Sequence, residues 1–195
     1  MAIPIQLLLA AMAALAIGTF SAFRTVRAAT FSQLEVDPNK FIAIAAPLGR
    51  GDHQLLILEQ QSEKQACWSE SGTNPIVVEP LLLQFDFTGI CGRSTDSNGY
   101  SIRMADRDLG LHYRLSIIKR DGELVQFGIS NRERNAPPIE IGRTNGTNSG
   151  FSKIVLGKSW RFTKRTFEGK TLGHVYFSSN LARLSWNSNS CNLKG

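Results

Sequence analysis

Residues 111–130, LHYRLSIIKRDGELVQFGIS, decide the fold class. Leu111, Tyr113, Leu115 and Ile117 occupy alternate positions, as do Val125, Phe127 and Ile129, with Asp121-Gly122 between the two runs. Period-two apolar patterning around an Asp-Gly pair signals a β-hairpin. A two-residue Asp121-Gly122 loop would set Ser116 opposite Phe127. A three-residue loop, Arg120-Asp121-Gly122, matches Ile117 with Val125, Leu115 with Phe127 and Tyr113 with Ile129, with Gly122 in a G1 bulge. The hydrophobic pattern selects the second register.

The same strand-and-turn rhythm extends in both directions. Residues 41–46 form a short apolar run before Pro47, and residues 55–58 are apolar on both faces, the mark of a central strand. Leu81, Leu83, Phe85 and Phe87 alternate with more polar neighbours and predict a half-buried strand. Further strands are expected over 100–104, 111–119, 123–129, 139–141, 151–156, 160–167 and 172–177. Short helices are expected at 31–34 or within 105–110. No long stretch after residue 30 carries a helical period. The fold class is therefore all-β, an antiparallel sandwich or two related barrel-like β halves.

A faint internal echo supports the second form. CGRSTDSNGYSI (residues 91–102) and IGRTNGTNSGFSKI (141–154) share Gly-Arg-Ser/Thr, a polar loop, then Gly-aromatic-Ser. LGLHY (109–113) and LGHVY (172–176) echo more weakly. NRERNAPP (131–138) is the candidate joint, or a surface loop. Turn chemistry alone also makes loops of Gly, Asn and Ser recur.

The chain opens on MAIPIQLLLAAMAALAIGTF and reaches Val26-Arg27-Ala28-Ala29. This outlines an export signal over 1–28, with small residues at −3 and −1 for cleavage before Ala29. No Lys or Arg precedes the apolar run, and the run is about long enough to span a bilayer, so a retained membrane anchor is the rival reading. The domain is expected over 29–180 and a polar tail over 181–195. The formal charge of +6 falls to +4 once Arg24 and Arg27 are removed. That balance suits an acidic glycan, a wall polymer or a membrane surface, or simply keeps an exported domain soluble.

Three cysteines make an odd count. In an oxidising compartment Cys67 and Cys91 are the natural disulfide, leaving Cys191 unpaired or used between chains. A catalytic thiol at Cys67 lacks a His at recognisable spacing.

The Gly-Arg loops are the candidate binding site. Arg93 with Ser94, Asp96 and Asn98, and Arg143 with Thr144 and Asn145, pair a guanidinium fork with small hydrogen-bonding groups suited to carboxylate, phosphate or sulfate. The competing reading has each Arg bracing its own loop against an internal carboxylate. Asp96-Ser97-Asn98-Gly99 resembles a fragment of a calcium loop without its closing acid, and reads better as an Asx turn. His53, His112 and His174 match no metal spacing. No nucleophile elbow is present, and neither catalytic residues nor a cofactor is expected. WRFTKRTF (160–167) mixes aromatic and basic residues as a strand does when one face is solvated. Export argues against nucleic acid as its partner.

Several stretches together resemble a known family: FIAIAAP (41–47), HQLLILEQ (53–60), CWSESG (67–72), FDFTGICGRSTDSNGYSIR (85–103), EIGRTNG (140–146) and WRFTKRT with GKTLGH (160–174). They are similar to a family of exported cyanobacterial proteins that is a domain of unknown function, and the likeness spans about residues 31–180. The resemblance implies export and a cyanobacterial source, and supplies no activity or site residue. The resulting expectation is a secreted or periplasmic, non-catalytic β module that binds envelope glycan, peptidoglycan or a surface protein. An envelope hydrolase of polysaccharide or peptide, using Glu70, Asp86, Asp96 or a His beside a nucleophile, and a self-assembling envelope protein are the alternatives. The membrane is a partner only if the opening segment is retained.

Overall fold

β-branched and aromatic runs broken by Gly-rich turns give fourteen strands and two 3-10 turns over residues 30–181, the part of the chain that the computed structural model describes. The proposed signal, the tail from 182 onward and Cys191 lie outside the described residues. One sheet has the order β1 (Ser32–Glu35), β13 (Arg161–Phe167), β14 (Lys170–Ser179), β7 (Tyr100–Met104), β8 (Arg107–Asp108). The other runs β6 (Cys91–Ser94), β3 (Asp52–Gln60), β2 (Phe41–Gly49), β12 (Ser152–Leu156), β11 (Ile139–Arg143), β10 (Glu123–Ser130), β9 (Tyr113–Arg120). A two-stranded flap, β4 (Trp68–Ser71) with β5 (Val77–Pro80), hangs on β12. The larger sheet curls until β9 comes into contact with β3, and β7 of the smaller sheet also touches β9. The protein is all-β. Every strand pair is antiparallel except β14 with β7, which is parallel.

Burial explains the two-sided apolar runs. Phe41, Ala43 and Ala45 of β2, with Leu55 and Ile57 of β3, face the smaller sheet and pack with Ile102, Phe162, Val175 and Phe177. Their alternate neighbours Ile42, Ile44, Leu56 and Leu58 face the opposite way, under the flap, and pack with Cys67, Val78, Leu82 and Cys91. A strand buried on both faces needs apolar residues at every position, which FIAIAA supplies. The Cys67–Cys91 disulfide, with Cα atoms 5.8 Å apart, staples this flap to β6. Between the sheets, the Lys164 ammonium lies 2.7 Å from the Glu59 carboxylate, and the Lys164 side chain is only 9% exposed. This pair links β13 to β3.

Four local expectations are corrected. The 111–130 hairpin uses the two-residue loop: Arg120 pairs with Glu123, Ser116 with Phe127 and Ile117 with Gln126. Asp121 and Gly122 both have positive φ (51° and 80°), the conformation of a type I′ turn. The face-matching argument failed because β10 is buried on both sides: Leu124 and Gln126 are as enclosed as Val125 and Phe127. Leu124 joins the inter-sheet core. Gly128 also lies in this strand, and a Cβ there would collide with Ile102 Cδ1.

Residues 81–87 do not form a strand. Leu81–Gln84 is a 3-10 turn after Pro80, which buries Leu82 and leaves Leu83 78% exposed. Pro80 cannot donate to a ladder, and the turn redirects the chain instead. The helix expected at 31–34 is strand β1, drawn into pairing with β13. The helix expected within 105–110 is a tight turn through Ala105 and Asp106 leading into β8.

The two echoed segments enter different pairings. β6 feeds through its loop into β7 of the other sheet, whereas β11 turns back through its loop to pair with β12. The 131–138 segment joins β10 to β11, which pair with each other.

Candidate functional site

The second Gly-Arg loop is internally braced. The Arg143 guanidinium reaches Glu123 Oε1 at 2.6 Å and Glu140 Oε1 at 2.5 Å. Both carboxylates, Glu140 first, hold the guanidinium above its ordinary range. Thr144 is buried: its Oγ1 accepts the Leu124 N–H at 3.0 Å and donates to the Gly146 carbonyl at 2.6 Å. The Asn145 N–H donates to Glu123 Oε2 at 3.1 Å. These groups tie the start of β10 to the end of β11 and the loop that follows it.

The first loop differs. Arg93 is exposed and makes no ion pair among the described residues. Asp96 Oδ1 accepts the Asn98 N–H at 2.8 Å, an Asx turn. Ser94 packs beneath Gly99, where a Cβ would meet Ser94 Cβ at 2.7 Å. Arg93 and Arg143 occupy strands four positions apart in the larger sheet, roughly 19 Å at the usual strand spacing. The structure does not bring the two loops together. Beside Arg93 lies a cleft of about 150 Å³ near Lys164 and Gly173, smaller than the roughly 300–1,000 Å³ of ligand clefts.

The outer face of the smaller sheet holds a polar cluster that no local motif announces. His174 Nδ1 lies 2.8 Å from the Asn98 carbonyl, which can only accept. Nδ1 therefore carries the proton, and Nε2 accepts from Ser101 Oγ at 2.8 Å. Asp108 Oδ2 accepts from Tyr176 OH at 2.7 Å and from Arg165 Nη2 at 2.8 Å, while Oδ1 accepts the Gly110 N–H at 2.9 Å. Burial pushes the Asp108 carboxyl up, but Gly110, Tyr176 and Arg165 outweigh it and hold it below its ordinary 3.8. Burial, aided by the bond to Asp108, pushes the Tyr176 phenol up to about 12. Burial lowers the His174 imidazole below 6.5, with the nearby Arg165 charge adding to it.

Chemically, this is a serine beside a neutral imidazole base. It lacks the open approach that a nucleophile needs. Ser101 is 6% exposed and His174 8%, and a Cβ on Gly110 would stand 3.1 Å from Ser101 Cβ. The carboxylates weighed for hydrolysis are scattered. Glu70 pairs with Lys153 and accepts from the Trp68 indole, Asp86 accepts the Thr88 N–H, and Asp96 is committed to its Asx turn. Among the described residues no group of three or more His, Cys, Asp or Glu forms a metal cluster, and no helix is long and apolar enough to cross a membrane.

The roomier concavities lie elsewhere. A bowl of about 490 Å³ opens where β7 and β10 end and β9 begins. Met104, Leu109 and Tyr113 form its apolar wall, and Arg107, His112, Arg132 and Glu133 its polar one. Arg107 and Arg132 are exposed and make no ion pair among the described residues. A second groove of about 330 Å³ lies between Trp68 and Trp160. Sequence reasoning missed both. Arg107 fell in an expected helix and Arg132 in an expected joint. The available signal was the density of Arg in 103–114 and 132–134 beside strand ends.

Fold and surface together define a disulfide-stapled all-β domain with open concavities at its strand ends. The chain belongs to the family described as protein of unknown function (DUF3747), which matches residues 8–182. The resemblance seen in its sequence stretches to a domain of unknown function is borne out at that level. No curated protein and no solved structure matches the chain.

Proposed function

We propose that the protein is a non-catalytic, secreted or periplasmic β module that binds an anionic glycan or peptidoglycan of the cell envelope. The observation that carries this reading is the 490 Å³ bowl, whose lining combines an imidazole, one carboxylate (Glu133) and two exposed guanidinium groups that make no ion pair among the described residues. Planar guanidinium forks suit sugar carboxylates, and the half-buried Leu109 leaves apolar surface for the C–H face of a pyranose. The hydrophobic opening segment and the disulfide favour an oxidising location. Arg93, exposed and without an ion pair among the described residues, offers a second, weaker contact toward the other end of the strands.

Isothermal titration of the full chain with alginate, at low and high salt, tests the reading. Binding should weaken with salt, and Arg107→Ala or Arg132→Ala should each cost about tenfold in affinity. Affinity that depends on Arg93→Ala and ignores Arg107 and Arg132 would move the site to the first Gly-Arg loop. Absence of binding to alginate and to purified peptidoglycan would end the reading.

A further inference from the structure

The groove between Trp68 and Trp160 has a specific structural origin. β12 pairs with β2 only from Ser152↔Ala45 to Ile154↔Ala43. Its last residues, Val155 and Leu156, turn away to pair with Arg143 and Gly142 of β11. The two strands splay, and Phe41 and Ile42 lose a strand neighbour on that side. The gap is the groove, and Trp68 and Trp160 both line it. Each indole is fixed by its own N–H: Trp68 donates to Glu70 Oε1 at 3.0 Å and Trp160 to the Glu140 carbonyl at 3.0 Å. Both rings remain partly exposed.

The charges around this groove are largely cancelled. Lys153 pairs with Glu70 at 2.7 Å, and Arg161 grips Glu35 through Nε and Nη2. A lining of indoles and neutralised polar pairs is complementary to an uncharged polyhydroxyl ring, with its apolar face on the indole and its hydroxyls on the ion pairs. The bowl, by contrast, carries uncancelled positive charge.

The two sites share one end of the molecule. β7 and β14 run parallel and finish together at Met104↔Ser179, where the Ala105 N–H donates to the Ser179 carbonyl. Across β14, Ser178 pairs with Arg161. Met104 and Ala105 line the bowl and Arg161 lines the groove, so roughly 10 Å of sheet separates them. A third hollow, lined by Lys158, Trp160, Arg161, Asn180 and Leu181, lies at the groove's edge where β14 ends.

We infer that bowl and groove are two stations of one track for an acidic polysaccharide chain, with a uronate carboxylate held in the bowl and an uncharged pyranose farther along the chain stacked in the tryptophan groove. The inference rests on the anionic-glycan reading of the bowl and adds that the ligand is a polymer. Glucuronic acid and the hyaluronan hexamer, in which glucuronate alternates with uncharged N-acetylglucosamine, titrated into the full chain by calorimetry and by tryptophan fluorescence, separate the two. The hexamer should bind at least about tenfold more tightly than the monomer after correction for its number of units, because the second contact becomes intramolecular. Trp160→Ala should remove that gain and leave monomer affinity unchanged, while Trp160→Phe should restore most of it and so separate lost stacking from misfolding. Arg107→Ala should weaken monomer and hexamer alike. A hexamer no tighter than the monomer, or a gain that survives Trp160→Ala, would overturn the track and leave the bowl intact. A monomer that fails to bind overturns the bowl and the track with it.

Discussion

Reduction of the Cys67–Cys91 bridge gives a magnitude that can be worked in advance. The segment it closes, 67–91, holds two four-residue strands and one 3-10 turn, and sits over β2 and β3 through a modest apolar cluster. Its sequence separation of 24 corresponds, on the chain-entropy model, to about 3.5 kcal/mol at 25 °C. Using the reduced form of the same sequence leaves no missing atoms, so cavity costs do not enter. A loss of that size lowers the guanidinium midpoint by about 1 M and the melting temperature by about 7–14 °C for a chain of this length. Both sulfurs are buried, Cys67 at 0% and Cys91 at 4% exposure, so reduction should need partial denaturation before native conditions are restored. The assay is paired equilibrium unfolding of oxidised and reduced protein, with native-state hydrogen exchange on the reduced form. Exchange should rise first in 67–91. A midpoint shift below about 0.3 M, or exchange rising equally in β7 and β14, would refute the stapled-flap reasoning.

Two other measurements probe the fold. Leu82→Ala should cost about 2–5 kcal/mol in denaturant unfolding while Leu83→Ala stays within about 0.5, because Leu82 is 2% and Leu83 78% exposed; equal costs would restore the strand reading of 81–87. His174 has a folded-state value below its ordinary 6.5, so the unfolded chain binds its proton first; stability should fall as pH drops below 6.5 and level off once the folded imidazole titrates. His174→Gln should flatten that step in a pH series of unfolding midpoints, and an unchanged slope would rule His174 out as its source.

Most strands could be read from period-two patterns, because β-sheets repeat side chains simply. Both-face burial of β2 and β3 was visible in FIAIAA and LLIL. The same property hid the hairpin register: once β10 is buried on both faces, face-matching no longer discriminates, and the Asp-Gly turn preference decides. The 3-10 turn at 81–84 escaped because LLLQ has no polar face to mark it, and only Pro80 hinted at a break. The candidate site was less legible. The Gly-Arg pattern is a turn signature in both loops, and whether an Arg is free depends on carboxylates distant in sequence, such as Glu123 for Arg143. The bowl is assembled from strand ends in two sheets, and the tryptophan groove from a splay between β2 and β12. Neither leaves a contiguous trace in the chain.

β14, the last described strand, lies at the centre of its sheet, between β13 and β7. Its parallel partner is about 75 residues earlier, so that sheet stays incomplete until almost the whole polypeptide is available. A growing chain ending before residue 170 exposes the apolar sides of Tyr100, Ile102 and Met104 with nothing to zip against. Premature termination anywhere upstream of β14 should therefore yield aggregation-prone fragments rather than a smaller working domain.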